Sequence, residues 1–166
     1  MTPQNGRVDG HLAVFDIDGV VADVRHRVHH LAGRRKDWGR FFAAAGRDTP
    51  LPEGVDLARQ YAKTHVVVWL TGRPEHLREV TASWLARHQL PNELLFMRPD
   101  FDRTPAREFK ARQLRALARE STIDVVVDDD PEVFRVLEEA GFPVRLADWV
   151  PYGEALRDAQ ERRGRT

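Results

Sequence analysis

The chain has 166 residues, 42% of them hydrophobic, with 26 basic residues (Lys and Arg) balanced by 26 acidic ones. This length and composition suit one folded domain with a single core, and the balanced charge excludes a strong overall attraction to nucleic acid. The absence of cysteine excludes disulfide frameworks, thiolate metal sites and cysteine nucleophiles, and the lack of a long apolar run predicts a cytoplasmic protein without a membrane span.

Short apolar runs alternate with longer helical patterns, which predicts strand–helix units around a parallel sheet. Residues 1–10 are predicted as a flexible lead, 11–159 as a single domain and 160–166 as a charged tail. The predicted strands are 11–16, 65–70, 93–97, 123–127 and 143–147. The predicted helices are 38–45, 55–63, 74–88, 105–119, 131–140 and 152–159. The continuous apolarity of 66–70 and 125–127 indicates that helices cover both faces of the sheet.

The first predicted strand leads into Asp16 and Asp18, followed by Gly19, which allows a sharp turn. In an extended chain the two carboxylates share one face. One carboxylate could then attack phosphorus while the other transfers a proton. Both would repel a phosphate dianion unless a hard cation lay between them, so the pair implies Mg²⁺. The alternative is a simple acidic turn.

Residues 23–48 show no strong strand pattern and are predicted as a small basic insertion over one end of the sheet. Its histidines, His26, His29 and His30, lack carboxylates at a matching spacing, which argues against a metal site. The arginines of this region could bind a phosphate backbone, although a solvated face is the commoner fate of such residues. They are Arg25, Arg27, Arg34 and Arg35.

The second predicted strand ends in Thr71, Gly72 and Arg73, at a predicted helix start. A hydroxyl, free amides and a helix N-terminus together make an anion site, and an ordinary helix cap by Thr71 is the alternative. Pro74, Pro105 and Pro131 each occupy a predicted first helical position.

The fourth predicted strand leads into three carboxylates in a row, before Pro131. Asp130 is interpreted as a helix N-cap, while Asp128 or Asp129 is expected to complete the oxygen ligands of Mg²⁺. Lys110 is one of three lysines in the chain. It could be a solvated helix residue, but we assign it to the phosphate site, which otherwise lacks a side-chain cation.

Taken together and in this order, these motifs resemble those of the haloacid dehalogenase superfamily of phosphatases. The resemblance implies a Rossmann-like α/β fold with sheet order 5-4-1-2-3 and a Mg²⁺ cofactor. It implies Asp16 as nucleophile and metal ligand, and Asp18 as general acid/base with its carbonyl oxygen on the metal. Thr71 and Lys110 would hold the phosphoryl oxygens. Asp129 would bind Mg²⁺ with Asp128 in support, although which of the two touches the metal stays open.

The gaps between motifs leave room for only a minimal cap, which suits a bulky substrate. A narrower resemblance is to the 3′-phosphatase domain of bacteriophage-type polynucleotide kinase-phosphatases. It is carried by Asp37-Trp38, Phe41-Phe42 and Asp48-x-Pro50, by the Thr71-Gly72-Arg73 motif, by the stretch from Met97-Arg98 through Asp102-Arg103 to Lys110, and by the Asp128-Asp129 pair. In that group the arginine of the Thr71-Gly72-Arg73 motif contributes to activity, which places Arg73 in the substrate-binding site with Thr71 and Gly72. Arg98 and Arg103 could also bind a phosphate backbone, although a solvated face is the commoner fate of such arginines. The chain departs from that group in lacking a phosphate-binding kinase loop and in having an aspartate after the acidic pair.

The predicted function is therefore a magnesium-dependent phosphomonoesterase with an aspartyl-phosphate intermediate, acting on nucleic-acid 3′-phosphate ends or nucleotides. A separate kinase or ligase could be its partner. One alternative is a phosphatase of small metabolites, such as a nucleotidase or sugar phosphatase. A second is a non-catalytic phosphate-binding module that keeps the fold.

Overall fold

The computed structural model describes residues 10–166, so nearly all of the predicted lead lies outside the described residues. Over residues 10–166 the chain forms seven strands and six α-helices, together with short 3-10 turns and one π-helical turn. The strands are β1 (His11–Phe15), β2 (Ala22–Asp23), β3 (Thr49–Pro50), β4 (Val66–Pro74), β5 (Leu95–Arg98), β6 (Thr122–Asp128) and β7 (Val144–Leu146). The helices are α1 (Trp38–Ala43), α2 (Pro52–Tyr61), α3 (Arg78–Arg87), α4 (Ala106–Leu117), α5 (Pro131–Glu139) and α6 (Glu154–Arg157).

The main sheet has five parallel strands in the order β5-β4-β1-β6-β7. Counting only the five strands that the sequence predicts, this is the order 5-4-1-2-3 read from the other edge. The predicted Rossmann-like α/β fold is therefore confirmed. β1 lies at the centre, where the direction of strand addition reverses, and this is the point at which open α/β sheets bind ligands.

Both faces of the sheet are covered, as the apolar strands predict. Along β1, Ala13 and Phe15 belong to one apolar cluster, and Leu12 and Val14 belong to the other. This alternation follows from the two-residue period of a strand. The first cluster includes residues of α1, α2 and α3, and the second includes residues of α4 and α5. The helices therefore hold β1 rigidly, which fixes the chain that emerges from its end.

The insertion at 23–48 is packed into the domain. Its ends are joined by the short antiparallel pair β2–β3, in which Asp23 pairs with Thr49. Leu31 and Phe41 are fully buried within it and join the core cluster of α2 and α3. The insertion therefore forms a small cap whose inner side is part of the hydrophobic core.

Two predicted helix starts differ from the structure by three residues or more: α2 begins at Pro52 rather than at residue 55, and the helix predicted from Pro74 begins later. Pro74 has extended geometry (φ −68°, ψ 150°) and pairs with Arg98 of β5, so β4 runs on through the whole Thr71 motif. A 3-10 turn (Glu75–Leu77) follows, and α3 begins only at Arg78. The strand continues because a register shift between Leu70 and Pro74 lets it keep pairing with β5. Thr71 therefore lies on a strand rather than at a helix N-terminus.

The other two proline positions were close to correct. Pro131 is the first residue of α5, and the Asp130 carboxylate accepts a hydrogen bond from the Glu132 amide, which confirms its role as N-cap. Pro105 lies one residue before α4. Within residues 10–166, the helices are too short or too polar to cross a membrane.

Candidate active site

The polar residues predicted from the sequence meet at the carboxyl edge of the sheet. Asp16 and Asp18 follow β1, Thr71 lies near the end of β4, and Asp128 ends β6. Lys110 reaches the same place from α4. All five side chains are buried, at 1–3% exposure. The parallel strands bring these residues together because all their carboxyl ends point the same way.

Three carboxylates form a compact cluster. Oxygens from Asp16, Asp128 and Asp129 all lie within 4.8 Å of one another. Burial raises the pKa of all three, to about 7 for Asp16 and well above the ordinary value for Asp129. Such a cluster is unfavourable in the absence of a cation, since each carboxylate loses solvation and repels the others.

The donor set fits Mg²⁺, which prefers oxygen ligands. The Asp129 Oδ1 atom is buried and has no hydrogen-bond partner among the described residues, so it is available to a cation. Asp128 is more committed, because its Oδ1 accepts from the Asp130 amide and its Oδ2 accepts from Lys110. The geometry therefore favours Asp129 as the direct ligand, with Asp128 in support.

Lys110 lies between two carboxylates. Its Nζ is 2.5 Å from Asp128 Oδ2 and 3.0 Å from Asp16 Oδ2. Burial lowers the pKa of Lys110, but the charges of Asp128 and Asp16 outweigh burial and raise it, so the ammonium group stays charged. Its burial at 3% exposure contradicts the alternative of a solvated helix residue.

Gly19 makes room for this cluster. Its φ of +76° is in the left-handed region that favours glycine. An ideal Cβ at this position would lie 2.0 Å from Asp129 Oδ2 and 2.5 Å from Asp129 Cγ. Any side chain here would displace the carboxylate. The turn after β1 and the carboxylate after β6 are therefore packed directly against each other.

Asp18 is held by two buried arginines. Its Oδ1 accepts from Arg73 Nε at 2.8 Å and Nη2 at 2.6 Å, and from Arg27 Nη2 at 3.3 Å. Burial by itself would raise the pKa of Asp18, but the charges of Arg73 and Arg27 hold it below the ordinary value. The arginines thus fix one carboxylate oxygen and make no hydrogen bond to Oδ2.

A second buried carboxylate, Asp48, completes this network. It accepts hydrogen bonds from Arg27 Nε (2.8 Å) and Nη2 (2.9 Å) and from Arg73 Nη2 (2.7 Å), and it lies 2.7 Å from His26 Nε2. The Asp48 carbonyl oxygen also accepts from the indole of Trp84. Two arginines and two carboxylates therefore neutralise each other in the interior.

Sequence reasoning missed the positions of Arg27 and Asp48. It grouped Arg27 with the basic residues of the insertion and gave Asp48 no role in the site. One sequence signal for Arg27 was available. The apolar residues Val24 and Leu31 lie three residues before it and four after it, a helical spacing that puts all three on one side of the chain, and both are buried. Asp48 belongs to the Asp48-x-Pro50 stretch that carries the resemblance, but nothing in that stretch indicates its contacts with Arg27 and Arg73.

The remaining predicted residues lie at the edge of the site. The Thr71 hydroxyl accepts from the Arg73 amide at 3.2 Å. Arg98 is fully buried, donates to the Gly72 and Thr104 carbonyl oxygens, and lies 4.8 Å from the centre of the Phe109 ring. It thus braces the loop after β5. Arg103 is bonded to the carbonyl oxygens of its own loop.

The histidines of the insertion have different contacts. His26 contacts Asp48, whereas the His29 and His30 rings lie against each other with centroids 4.0 Å apart. Among residues 10–166, the group of side chains suited to a metal ion is the Asp16, Asp128 and Asp129 cluster.

Residues 158–166 lie against the site. This segment, most of which the sequence predicts as a charged tail, begins with a π-helical turn (Asp158–Arg162) and has several buried residues. Thr166 is 3% exposed, and its hydroxyl lies 3.4 Å from Asp18 Oδ2. Glu161 pairs with Arg107 of α4 at 2.5 Å. The charged composition of the segment gave no sign of this position.

Comparison with known proteins supports the fold. A family model described as PITM 1-3, LNS2 domain, matches residues 13–128, whereas no curated protein matches the sequence. Among solved structures, a chain of the Pnkp1/Rnl/Hen1 RNA repair complex is similar, with 22% identity and a TM-score of 0.69. The match covers 87% of this chain but 43% of that one, so this chain spans less than half of that relative.

Two further structures have the same fold. The class C acid phosphatase from Bacillus anthracis has 15% identity and a TM-score of 0.65, with 93% of this chain and 72% of that one covered. A haloacid dehalogenase-like family hydrolase, SP0104 from Streptococcus pneumoniae, has 11% identity and a TM-score of 0.53, with 80% and 82% covered. The predicted resemblance to haloacid dehalogenase-type proteins and to a Pnkp-type repair protein is confirmed at the level of the fold.

Proposed function

The chain belongs to the family described as PITM 1-3, LNS2 domain, and from its buried acidic cluster we propose that it is a magnesium-dependent phosphomonoesterase with an aspartyl-phosphate intermediate. The observation that carries the proposal is the surroundings of Asp16. Its carboxylate lies in a group of three acids and is contacted by a charged lysine at 3.0 Å. Three carboxylates can hold a cation, and that cation together with the lysine can neutralise the charge of a phosphoryl group.

In the first step, a carboxylate oxygen of Asp16 forms a bond to phosphorus while the ester bond breaks. The Ile17 amide donates to Asp16 Oδ1 at 2.7 Å, which orients the carboxylate. Asp18 gives a proton to the leaving alcohol. In the second step, water attacks the aspartyl phosphate, Asp18 takes its proton, and inorganic phosphate leaves with Asp16 restored.

The two arginines around Asp18 fit this assignment. They fix Oδ1 and leave Oδ2 as the oxygen that exchanges the proton. Because they hold the pKa of Asp18 low, they favour the ionised form that accepts a proton from water in the second step. Proton donation in the first step requires the negative charge of the bound phosphate to raise this pKa. Arg73 would thus act mainly by positioning Asp18, in addition to any contact with the substrate.

Mg²⁺ would be held by Asp16 and Asp129, with the Asp18 carbonyl oxygen as a further ligand and Asp128 in support. When bound, it supplies the positive charge that offsets the buried carboxylates and the phosphoryl oxygens. Lys110 and the Thr71 hydroxyl would hold the phosphoryl oxygens. This role suits Lys110 because its charge is maintained in the buried site.

For the substrate we propose 3′-phosphate ends of nucleic acids, or nucleotides. Two facts support this choice: the cap is limited to the 23–48 insertion, and the fold is similar to that of a chain from an RNA repair complex. A kinase or ligase on a separate chain would be the partner in such a pathway. Small sugar phosphates and mononucleotides are the competing substrates, and the test separates them.

The test is a panel of 3′-phosphorylated oligonucleotides, mononucleotides and sugar phosphates, assayed with Mg²⁺. We expect Asp16→Asn to abolish phosphate release while the protein stays folded. Asp56→Asn, on the exposed side of α2, is the matched control and should keep wild-type activity. Turnover of mononucleotides or sugars without oligonucleotides would refute the nucleic-acid substrate. If no ester is hydrolysed and trifluoroberyllate does not bind, the protein is a non-catalytic module.

A further inference from the structure

The 158–166 segment is anchored on one side of the cleft. The Glu161 carboxylate accepts from the Arg107 guanidinium at 2.5 Å and from the Arg107 amide at 3.2 Å, at the start of α4. Within the segment, the Arg163 amide donates to Asp158 and the Arg165 amide donates to Ala159. These bonds give residues 163–166 a defined path towards the catalytic groups.

Two glycines permit that path. Gly164 has a φ of +55°, and an ideal Cβ there would lie 2.1 Å from the Arg103 carbonyl oxygen. An ideal Cβ on Gly72, in the second motif, would lie 2.2 Å from the Thr166 carbonyl carbon. The segment therefore lies in backbone contact with both the loop after β5 and the Thr71 motif.

The end of this path lies beside the proton donor. The Thr166 hydroxyl is 3.4 Å from Asp18 Oδ2, the oxygen that the arginines leave unbound. In the proposed reaction, the same oxygen gives its proton to the leaving alcohol. Thr166 thus places an alcohol where the product alcohol would be formed.

We propose that residues 158–166 occupy the subsite for the leaving alcohol and act as a built-in competitor that the substrate must displace. This inference rests on the proposed function, because it uses the role of Asp18. The competitor is attached to the enzyme, so it acts at a high effective concentration even if its contacts are individually weak. The fraction of molecules with the segment displaced then scales the apparent affinity for substrate.

The contacts of the segment also indicate what kind of alcohol the subsite accepts. The Arg165 guanidinium lies 4.7 Å from the centre of the Trp38 ring, a cation–π contact that displacement would release. The freed indole face would then be open to a planar group, such as a nucleobase, for stacking. A nucleoside alcohol has this chemistry, whereas a sugar alcohol without a base does not.

The experiment replaces Gly164 with alanine. Gly164→Ala forces the segment out, because its Cβ would overlap the Arg103 carbonyl oxygen. Gly141→Ala is the matched control: Gly141 also has a left-handed φ, +85°, but its Cβ would meet nothing within 4 Å. With a 3′-phosphorylated oligonucleotide we expect Gly164→Ala to raise kcat/KM about tenfold through a lower KM, which corresponds to a segment docked roughly nine-tenths of the time.

A second measurement adds a peptide with the sequence of residues 158–166. It should inhibit the Gly164→Ala enzyme competitively and restore the higher KM. Equal KM values for wild type, Gly141→Ala and Gly164→Ala would overturn the inference while leaving the proposed function intact. If Gly164→Ala raises kcat/KM as much for a sugar phosphate as for the oligonucleotide, the assignment of the subsite to a nucleoside is overturned.

If neither wild type nor Gly164→Ala releases phosphate, the proposed function fails and hydrogen exchange tests the docked segment on its own. The Arg165 amide, bonded to Ala159, should exchange slowly in wild type and in Gly141→Ala and at least tenfold faster in Gly164→Ala. Equally fast exchange in all three proteins would show that the segment does not occupy the cleft, and would overturn the proposal.

Discussion

Gly19→Ala tests whether the turn after β1 shapes the metal site. The new Cβ would lie 2.0 Å from Asp129 Oδ2, so either the turn or the carboxylate must move. If Asp129 moves, its buried Oδ1 no longer points at the cation. Disturbing the surroundings of a metal ligand typically weakens binding 10- to 100-fold, about 1.4–2.7 kcal/mol. We expect a loss of Mg²⁺ affinity of this order.

The left-handed backbone adds a separate cost, which the control removes. Alanine at a positive φ costs roughly 1–2 kcal/mol of stability wherever it occurs. Gly141→Ala carries this cost alone, since its φ is +85° and its Cβ is unobstructed. Urea denaturation of the metal-free proteins measures stability, and titration calorimetry measures Mg²⁺ affinity. The difference between the variants isolates the contact with Asp129.

The expected pattern is that both variants lose stability but only Gly19→Ala loses Mg²⁺ affinity. If Gly19→Ala binds Mg²⁺ as tightly as Gly141→Ala, the reasoning is refuted, because a displaced Asp129 would then be irrelevant to the cation. Asp129→Asn should weaken Mg²⁺ binding in the same way without any change of backbone, which links the two results to one carboxylate.

Two further predictions concern the buried charges. Asp48→Asn leaves the buried Arg27 and Arg73 short of negative charge, so we expect urea denaturation to show a loss of roughly 3–5 kcal/mol in the free energy of unfolding. The control Asp23→Asn breaks an exposed pair with Arg25 and should cost about 1 kcal/mol or less. Equal losses in the two variants would contradict this view of the network. In metal-free protein, stability should fall as pH rises from about 4 to about 7, because the pKa of Asp16 is raised from 3.8 to about 7 and those of Asp128 and Asp129 are also raised, so the folded state binds extra protons at low pH. Thermal unfolding scans measure this decline, and saturating Mg²⁺ should remove it; a decline that persists with Mg²⁺ would contradict the assignment of the cation to this cluster.

The site could be predicted from the sequence because all strands of a parallel sheet end at the same edge. Each apolar run is a strand, and the residue that follows it lies at the carboxyl edge. The pattern of apolar runs was therefore enough to place Asp16, Thr71 and Asp128 together. The order of strands came from the resemblance, and β5-β4-β1-β6-β7 confirms it.

Local patterns were less informative where a choice depended on neighbours in space. Pro74 has the residue type of a helix start, but pairing with Arg98 keeps it in β4. Pairing with β5 stabilises the extended conformation of Pro74 only once β5 lies beside it, and no pattern within residues 70–75 indicates that β5 will lie there. The helix consequently begins at Arg78 rather than Pro74.

The sequence alone determined the α/β class and the residues of the acidic cluster. The spacing of apolar residues and the residues that follow each strand can both be read from short stretches of chain. Only the tertiary structure decided that Arg27, Asp48 and Arg73 surround Asp18, and that Thr166 lies against it. These residues come from four separated parts of the chain. A buried charge is stable only where its partners meet it, and that meeting is a consequence of the completed fold.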